Sequence, residues 1–460
     1  MLVSFSVSNY RSFGEEVTLN MVASNKLSDH PNHRVEIDKS GKHLVRSAVL
    51  YGANAAGKSN LVKAMGFAQR LIQSRDDSLP SVESFRFSPD LNKEPSSFEF
   101  RFLVSEHVFI YGFDVGSRKI FSEWLAFIDG NDEPTIFERD SAGKTTVNLD
   151  ALNSFAEDQQ LASTLDILKQ LPLKSSQLFL NRVAGLPEEA QSKTLHGIVK
   201  WLTEELEIIE SDHRSCDLLE RLDREVRFRE FTTEFLDRIG TGIFGLRFEQ
   251  SEHEASEWER EYFSHLEDHG GYGFYGCQGD TYVCRHPNET QKYVKRRLFA
   301  EHPTTKAKYT LPFCEESDGT QQILHYLPVL STNRDQNKVI VIDELDRSLH
   351  PLLCWEFIRF FSESCPGARK QLIVTTHESH LLNQELLRRD EYWFVEKDKD
   401  QQTRLSSLSD YNIRNDLKIQ KGYLQGRFGA IPVFGGLSEL ECLLDCRVTE
   451  GDNAKEETPA

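Results

Sequence analysis

Two motifs near opposite ends of the chain constrain its fold more than any other feature. Near the start, Gly52–Ser59 matches the pattern GxxxxGK[ST] between an apolar run, Ser47–Tyr51, and a helix-like stretch, Asn60–Met65. A strand, a glycine-rich loop and a helix in this order are the context in which the pattern binds phosphate. Far downstream, a second apolar run ends in the acidic pair Asp343–Glu344. More than half of the residues lie between the two motifs, which predicts an α/β nucleotide-binding core with a large insertion.

The loop residues have distinct predicted roles in holding a triphosphate. Gly52 and Gly57 allow the backbone to curl so that successive N–H groups point at phosphate oxygens, and the following helix adds its positive N-terminal end. Lys58 is expected to reach the β- and γ-phosphates, and the Ser59 hydroxyl to bind Mg²⁺. The alternative is a chance glycine-rich turn, which the flanking strand and helix disfavour. ATP and Mg²⁺ are therefore the predicted cofactors.

The acidic pair is expected at the usual ligand crevice of an open α/β sheet. Four apolar, β-favouring residues run directly into Asp343 and Glu344, which indicates a buried strand rather than solvated charges at a strand end. The carboxyl end of such a strand lies beside the phosphate loop. Asp343 suits Mg²⁺, directly or through water, and Glu344 suits polarising the attacking water.

Three further segments extend the predicted site. Glu316–Gln321 precedes the acidic strand, and its Ser and Gly offer donors for a phosphate at a helix start, although Ser-Asp-Gly is also an ordinary turn. Leu345–Pro351 follows the acidic pair directly. The apolar strand Gln371–Thr376 ends in His377. A lone His is more often structural, but at the end of a neighbouring strand it can reach the γ-phosphate.

Taken in chain order, these segments resemble the ATP-binding-cassette ATPases of the SMC, RecF and OLD kind. The matching motifs are a Walker A loop (52–59), a divergent signature loop (Ser317 to Gln321), a Walker B strand with its glutamate (339–344), a D-loop (Leu345 to Ser348) and a switch histidine (His377). Unlike SMC proteins the sequence has no long coiled coil, and unlike OLD nucleases it has no recognisable C-terminal nuclease domain.

Within that group the chain is similar to the stand-alone AAA ATPases of bacterial anti-phage loci, such as RloA and abortive-infection ATPases. The likeness covers residues 1–125 and 310–435 well and the middle poorly. It rests on five strings, namely Phe5–Gly14, Tyr51–Ser59, Glu315–Gln321, Asp343–Pro351 and Lys421–Pro432.

The resemblance implies which residues contact the nucleotide. Arg11, Asn54 and Asn60 are expected beside it, together with the loop residues already named. Ser317, Gly319 and Gln321 are expected to cover the ATP of a second protomer, because a cassette ATPase does not close its own site. Two sites then lie at one two-fold interface.

The resemblance also implies the activity and the partners. Glu344 and His377 are expected to be the catalytic residues of a Mg²⁺-dependent ATPase, with Ser59 and Asp343 as metal ligands. ATP binding closes a homodimer or higher homo-oligomer, and hydrolysis reopens it. A separate effector, a nuclease or toxin encoded nearby, is expected to be regulated by this motion in anti-phage defence.

The fold class predicted from these observations is α/β. It consists of an ABC-type P-loop ATPase head, an antiparallel β-subdomain, where Ser97–Leu103 alternates with period two, and a helical insertion with apolar residues at helical spacing. The expected division is an N-terminal ATPase lobe (1–145), the helical insertion (146–245), a C-terminal ATPase lobe (246–440) and a tail (441–460).

Composition is typical of a cytoplasmic enzyme. No apolar run approaches the roughly 20 residues of a membrane span, and the N-terminus shows no signal peptide. The eight cysteines form no regular framework, which suits a reducing compartment. The formal net charge of −19 repels nucleic acid unless a local basic patch overrides it. Lys292–Lys308 is the candidate patch, with a solvated basic strand pair as the alternative.

Two groups of cysteines leave alternatives open. Cys277, Cys284, His286, His265 and His269 could bind zinc, but their spacing fits no standard finger, and a glycine-rich hairpin is the simpler interpretation. Cys442 and Cys446 lie one helical turn apart, where a buried helix face is favoured over a metal site.

Two other functions remain as alternatives. A RecF- or SMC-like ATPase of DNA repair or recombination would clamp DNA or RNA with a basic surface. A mechanical AAA+ ring is disfavoured, because the two Walker motifs are far apart and the signature loop and His377 fit a cassette ATPase better.

Overall fold

The computed structural model describes most of the chain. The described residues are 1–37, 41–74, 79–155, 158–187, 192–211, 217–254, 256–257, 280–286, 289–331, 337–364, 367–412 and 418–431. The predicted tail, the Cys442–Cys446 pair and the glycine-rich segment with Cys277, His265 and His269 lie outside them.

The described residues form nineteen β-strands and nine α-helices. The strands are β1 (Leu2–Ser8), β2 (Val17–Asn20), β3 (Arg34–Glu36), β4 (His43–Val45), β5 (Ser47–Tyr51), β6 (Ser96–Val104), β7 (His107–Val115), β8 (Ile120–Phe127), β9 (Thr135–Arg139), β10 (Thr145–Val147), β11 (Leu206–Ile209), β12 (Gly245–His253), β13 (Thr281–His286), β14 (Glu289–Pro303), β15 (Lys308–Pro312), β16 (Lys338–Ile342), β17 (Lys370–Thr376), β18 (Tyr392–Lys397) and β19 (Thr403–Ser407). The α-helices are α1 (Lys58–Gln73), α2 (Gln159–Gln170), α3 (Phe179–Ala184), α4 (Lys193–Lys200), α5 (Asp217–Arg224), α6 (Val226–Arg238), α7 (Asp318–Ser331), α8 (Pro351–Glu363) and α9 (Ile419–Leu424).

A six-stranded sheet forms the centre of the protein, in the order β11-β16-β17-β5-β18-β19. Its neighbouring strands are parallel except for β19, which is antiparallel to β18. Every residue of β5 and β17 is buried, as expected for parallel strands that are covered on both faces. The loop strand and the acidic strand therefore lie in one sheet, separated by β17.

A seven-stranded antiparallel sheet packs beside the centre, in the order β10-β9-β8-β7-β6-β1-β2. Its strands alternate as the sequence predicts, and Phe98, Phe100 and Phe102 of β6 are fully buried. Helix α1 shares one hydrophobic core with this sheet and with Ala48 and Leu50 of β5. The predicted α/β head with an antiparallel β-subdomain is confirmed.

A second hydrophobic core covers the opposite face of the central sheet. Val49 and Tyr51 of β5 contribute to it, together with residues of α5 to α8. A four-stranded antiparallel sheet, in which β14 pairs with β12, β13 and β15, adds to the same core and leads through β15 into α7. The chain between the two nucleotide motifs is therefore packed against the head that it interrupts.

The predicted helical insertion is not separate from the head. Helices α2 to α6 lie within residues 146–245, but so does β11, which pairs in parallel with the acidic strand β16 from Leu206 to Ile209. The division of the chain into the four predicted segments stays a prediction. Among the described residues, no helix is both long and apolar enough to cross a membrane.

Gln371 joins the central sheet to the antiparallel sheet. Its fully buried side chain accepts a hydrogen bond from the Leu2 N–H at 2.6 Å and donates to the carbonyls of Leu2 and Val45 at 2.9 and 3.0 Å. A buried amide that satisfies three backbone groups fixes where β1 lies against β17, because each group would otherwise be desolvated without a partner.

Replacing Gln371 with leucine should destabilise the protein. Gln371→Leu keeps the volume but leaves three buried backbone groups unpaired, at a cost of about 2–4 kcal/mol in the free energy of unfolding. Urea denaturation measures this loss. The matched control is Gln160→Leu at an exposed position of α2, which should change the free energy by less than about 0.5 kcal/mol. Equal effects of the two substitutions would contradict the role of Gln371.

Candidate nucleotide site

The register of three parallel strands brings the predicted site residues to one edge of the sheet. Tyr51 of β5 pairs with Thr376 of β17, and Ile342 of β16 pairs with Val374 of the same strand. The residues that follow these strands are Gly52, His377 and Asp343, so all three lie at the carboxyl edge, where open α/β sheets bind ligands.

The backbone of the phosphate loop leaves no room for a side chain at Gly52 or Gly57. Gly57 adopts φ 115°, and Ala55 also has a positive φ, 63°. A Cβ at Gly57 would overlap the Thr403 hydroxyl and lie 3.0 Å from Ser12 Oγ, and one at Gly52 would overlap the Val395 carbonyl. The loop is thus closely supported from behind by β18 and β19, and its shape fits a phosphate-binding loop at the N-terminus of α1.

Lys58 is the cation of the loop. Its ammonium group donates to the carbonyls of Gly52 and Ala53 at 2.8 and 3.3 Å and lies 3.1 Å from His377 Nε2. Burial lowers the pKa of Lys58 to about 8, although the carboxylates of Asp343, Asp346 and Glu344 oppose the shift. The side chain therefore stays mainly protonated at pH 7 and can neutralise phosphate charge.

His377 meets Lys58 across the site, 319 residues later in the chain. Desolvation lowers the pKa of His377, and the positive charge of Lys58 lowers it further. A neutral ring that accepts a hydrogen bond at Nε2 carries its proton at Nδ1. At neutral pH His377 is therefore an uncharged group beside the ammonium of Lys58.

The acidic pair is held by Thr375 of the neighbouring strand. The Thr375 hydroxyl donates to Asp343 Oδ1 at 2.6 Å and accepts from the Glu344 N–H at 2.8 Å. Asp343 is buried, whereas Glu344 is partly exposed and has a positive φ of 55°. Such backbone strain in a non-glycine residue is concentrated at functional sites, which is consistent with a carboxylate directed at a ligand.

Asp346 is a further positioning residue, which the sequence indicated only as part of the D-loop. Its carboxylate accepts a hydrogen bond from the His377 N–H at 3.2–3.3 Å. This contact fixes the chain that follows β17 relative to the acidic strand. Thr375 was also missed, because a threonine inside a strand carries no local signal of its partner.

The N-terminal segment packs against the phosphate loop. The Asn60 side chain donates to Ser12 Oγ at 2.8 Å, and the Thr403 hydroxyl lies 2.8 Å from both Ser12 Oγ and the Ala56 carbonyl. The Thr403 N–H also donates to the Ser12 carbonyl. Ser12 and Thr403 are thus two support residues that the sequence did not reveal, and Asn60 is used to anchor the N-terminal segment.

Arg11, expected beside the nucleotide, pairs with a carboxylate. Its guanidinium donates to Glu83 at 2.6 Å and to the Tyr10 hydroxyl at 3.3 Å. Arg11 directly precedes Ser12, which supports the phosphate loop. Arg11 therefore lies at the edge of the residues that pack behind this loop. Asn54 is exposed at the tip of the loop, and Ser59 follows Lys58 at the start of α1. The roles of these residues toward ATP stay predictions.

The signature residues lie at the N-terminal end of α7. Ser317 Oγ accepts from the Thr320 N–H at 3.2 Å, and the Gln321 amide donates to the carbonyls of Cys314 and Glu316. A Cβ at Gly319 would approach the D-loop carbonyl of Ser348 to 2.5 Å. Ser317 itself is exposed. The contacts described for these residues are made within their own segment and the D-loop.

Two arginines of the predicted basic patch are paired with carboxylates. Arg296 bonds Asp223 at 2.7 Å, and Arg297 bonds the buried Asp280 at 2.9 Å. Cys284, a zinc candidate, is a buried free thiol. The described part of the chain holds no cluster of three or more His, Cys, Asp or Glu side chains suited to a metal. A Mg²⁺ site needs fewer protein ligands, because Mg²⁺ keeps waters and phosphate oxygens, and Ser59 with Asp343 fits this pattern.

One family model matches more than half of the chain. It is described as "AAA domain, putative AbiEii toxin, Type IV TA system" and matches residues 47–176 and 218–383. This match confirms the predicted resemblance to AAA ATPases with a relation to abortive infection. No curated protein matches the sequence.

Similar solved structures include three SMC head domains. One is an SMC head bound to the C-winged helix domain of ScpA, with 13% identity and a TM-score of 0.38, covering 88% of this chain and 97% of that one. Another is from Thermotoga maritima, with 10% identity, a TM-score of 0.36 and coverage of 88% and 98%. A third, with an extended coiled coil and bound to the C-terminal domain of ScpA derived from Pyrococcus furiosus, has 12% identity, a TM-score of 0.31 and coverage of 88% and 96%. TM-scores this low do not bear on function.

Adding a methyl group to the loop should disrupt the site. Gly57→Ala should weaken ATP binding at least tenfold, because the Cβ overlaps Thr403 and displaces the backbone that faces the phosphates. Calorimetric titration with ATP measures this loss. Gly130→Ala is the matched control, since Gly130 also has a positive φ, 63°, but no neighbour within 4 Å. It carries backbone strain of about 1 kcal/mol without a clash. Normal ATP binding by Gly57→Ala would contradict the loop assignment.

Proposed function

The chain belongs to the AAA-domain family described for the putative AbiEii toxin of type IV toxin–antitoxin systems, and from that premise we propose that it binds and hydrolyses ATP, dimerises around the nucleotide and regulates a separate effector. The observation that carries the proposal is the convergence of Lys58, Asp343, Glu344 and His377 at one sheet edge. A P-loop lysine, an acidic residue for Mg²⁺ and a residue that positions the attacking water are recurring parts of phosphoryl-transfer sites, and Lys58, Asp343 and Glu344 suit these roles.

ATP binding is assigned to the loop and its helix. The curled backbone from Gly52 to Gly57 offers N–H groups to the phosphates, and Lys58 adds positive charge at the same place. Ser59 and Asp343 would hold Mg²⁺, which supplies further charge neutralisation when bound. The hydrogen bond that Asp343 accepts from Thr375 supports this assignment, because it holds the carboxylate at the carboxyl edge of the sheet.

Hydrolysis is assigned to Glu344 and His377. Glu344 is expected to orient water and accept its proton, because it lies next to the buried Asp343 at the carboxyl edge of the sheet. Two backbone hydrogen bonds to Thr375, from the N–H groups of Glu344 and Leu345, hold its unusual backbone conformation. The neutral His377 is expected to contact the γ-phosphate, with its backbone fixed by Asp346.

Dimerisation is supported by the position of the signature residues. Ser317 is exposed at the start of α7, and Gly319 contacts the D-loop that follows Glu344. A helix start with an exposed hydroxyl can bind a phosphate of a second protomer. A two-fold axis would then pair each phosphate loop with the signature loop of the other chain.

Regulation of an effector is supported by exposed apolar side chains near the end of α2. Ile167 and Leu171 lie four residues apart at the end of α2 and expose 63% and 50% of their surface. Leu171 directly follows the helix in an extended conformation, and exposed large apolar side chains can form part of a docking surface for another protein. The DNA-clamping alternative needs an unpaired basic surface, and Arg296 and Arg297 of its candidate patch are already bonded to carboxylates.

Substituting Glu344 should separate binding from hydrolysis. Glu344→Gln keeps the shape of the side chain but cannot accept a proton, so turnover should fall roughly 10²–10⁴-fold while ATP binding remains. Phosphate release and ATP titration measure the two properties. Glu138→Gln, at an exposed position of β9, is the matched control and should retain full turnover. Normal turnover by Glu344→Gln would remove Glu344 from the catalytic role.

Two inactive variants should complement each other if the site is shared between protomers. Lys58→Ala should lose ATP affinity by about 10- to 100-fold through the lost charge on the phosphates. Ser317→Arg should bind ATP but fail to associate. A mixture should regain activity, because one of the two sites in a heterodimer combines an intact loop with an intact signature residue. Heterodimers that form and remain inactive would contradict the shared site.

The pure protein should lack the toxic activity itself. Incubated with Mg²⁺ or Mn²⁺, with and without ATP, it should leave DNA and RNA intact, because the proposal places cleavage on another chain. Gel electrophoresis of the nucleic acid measures this directly. Metal-dependent cleavage that persists in Lys58→Ala and is lost on a substitution outside the ATP site would show that this chain is the effector.

A further inference from the structure

A basic groove lies on the antiparallel sheet, away from the carboxyl edge of the central sheet. Its cavity volume is about 640 Å³. Four cationic residues line it, namely Arg86, Lys93, Arg118 and Lys119. We call this feature the basic groove.

The positive charge of the basic groove is only partly neutralised, because Glu83 and Glu94 also line it, and four cations with two carboxylates leave a formal charge of +2. Arg86 is 79% exposed, and its contact with Glu83 is long, at 3.9 Å. The Glu83 carboxylate already accepts a hydrogen bond from Arg11 at 2.6 Å. In the part of the chain that the structure describes, Lys93 and Arg118 are exposed and have no ion-pair partner. In a chain with a formal net charge of −19, four cations at one concave surface form a local exception that attracts anions.

The other lining groups favour a ligand that carries a base as well as phosphate. Phe121 is half-buried, with the Lys119 ammonium 4.5 Å from its ring centre. The Lys119 ammonium covers one face of this ring. A positively charged groove that also holds an aromatic side chain is the combination that binds phosphates and bases together. Ser84 and Ser117 add hydroxyl groups for phosphate oxygens. A concave site of several hundred Å³ suits a small molecule, which favours a mononucleotide or dinucleotide over a long duplex.

The basic groove is connected to the phosphate loop through the N-terminal segment. The Arg11 N–H donates to the Glu83 carbonyl at 2.7 Å, and the Phe85 N–H donates to Asn9 Oδ1 at 3.2 Å. Arg11 has a positive φ of 51°, so this contact is held in a strained backbone. Ser12, the next residue, contacts Asn60 and Thr403 behind the loop. A movement of Glu83 would therefore be transmitted to the phosphate loop through Arg11 and Ser12.

We infer that the basic groove binds a small phosphorylated nucleotide and that its occupancy changes ATP binding through the Glu83–Arg11 pair. An anion in the groove competes with Glu83 for Arg86 and so strengthens the hold of Glu83 on Arg11. The binding step is independent of the proposed ATPase activity, whereas the coupling step rests on ATP binding at the loop. The two parts can fail separately.

Binding is tested by calorimetric titration of the full chain with a 5′-phosphorylated deoxydinucleotide. The double variant Lys93→Ala/Arg118→Ala should lose at least about tenfold in affinity for the dinucleotide and keep its affinity for ATP. Lys58→Ala should show the reverse pattern. The double variant Lys26→Ala/Lys144→Ala removes the same charge from exposed positions elsewhere and should bind both ligands normally.

Three outcomes would overturn the binding site. These are no binding of the dinucleotide, equal loss of affinity in the two double variants, or tripolyphosphate binding as tightly as the dinucleotide, which would exclude recognition of the base. Tighter, salt-dependent binding of a 20-base-pair duplex than of the dinucleotide would replace the inference with a nucleic-acid surface.

The coupling has its own measurement. Saturating dinucleotide should change the ATP dissociation constant at least threefold, and Glu83→Gln should abolish the change while the dinucleotide still binds. An ATP dissociation constant that does not respond to the dinucleotide, or a response that survives in Glu83→Gln, would overturn the coupling.

Discussion

The site depends on one constraint, the parallel pairing of β17 with β5 on one side and β16 on the other. This pairing places Lys58, Asp343 and His377 at one edge although they are far apart in the chain. Thr375 makes the arrangement specific, because its hydroxyl contacts both Asp343 and the Glu344 N–H. A slip of one residue would turn Thr375 to the other face of the sheet and remove both contacts. The register of the central sheet therefore determines the geometry of the site.

The same edge carries backbone strain that the sheet supports. Ala55, Glu344 and Ser348 all have positive φ, and each such residue costs about 1–3 kcal/mol. The phosphate loop is held from behind by Thr403 and Ser12, and Glu344 is held by Thr375. The Ser348 carbonyl lies close to Gly319. Strained residues thus lie at the loop, the acidic pair and the D-loop, the three places that an ATP-driven closure would have to rearrange.

The sequence predicts the centre of the site well and its supports poorly. The phosphate loop, the acidic pair and His377 carry local sequence signals, since each of them directly follows an apolar run that predicts a buried strand. Thr375, Thr403 and Ser12 carry none, because their roles come from partners up to 391 residues away. For the same reason, no pattern indicated that β11 joins the central sheet from within the predicted helical insertion. Arg11 was assigned by resemblance, and only the structure shows its pairing with Glu83.

The central claim is that each ATP is enclosed by the phosphate loop of one chain and the signature loop of another. The most direct measurement is an experimental structure of the Glu344→Gln variant with ATP and Mg²⁺. The account predicts a two-fold dimer in which Lys58 contacts the phosphates and Ser317 of the partner subunit lies within hydrogen-bond distance of the γ-phosphate. A nucleotide enclosed by residues of a single chain, with Ser317 remote from every phosphate, would contradict it.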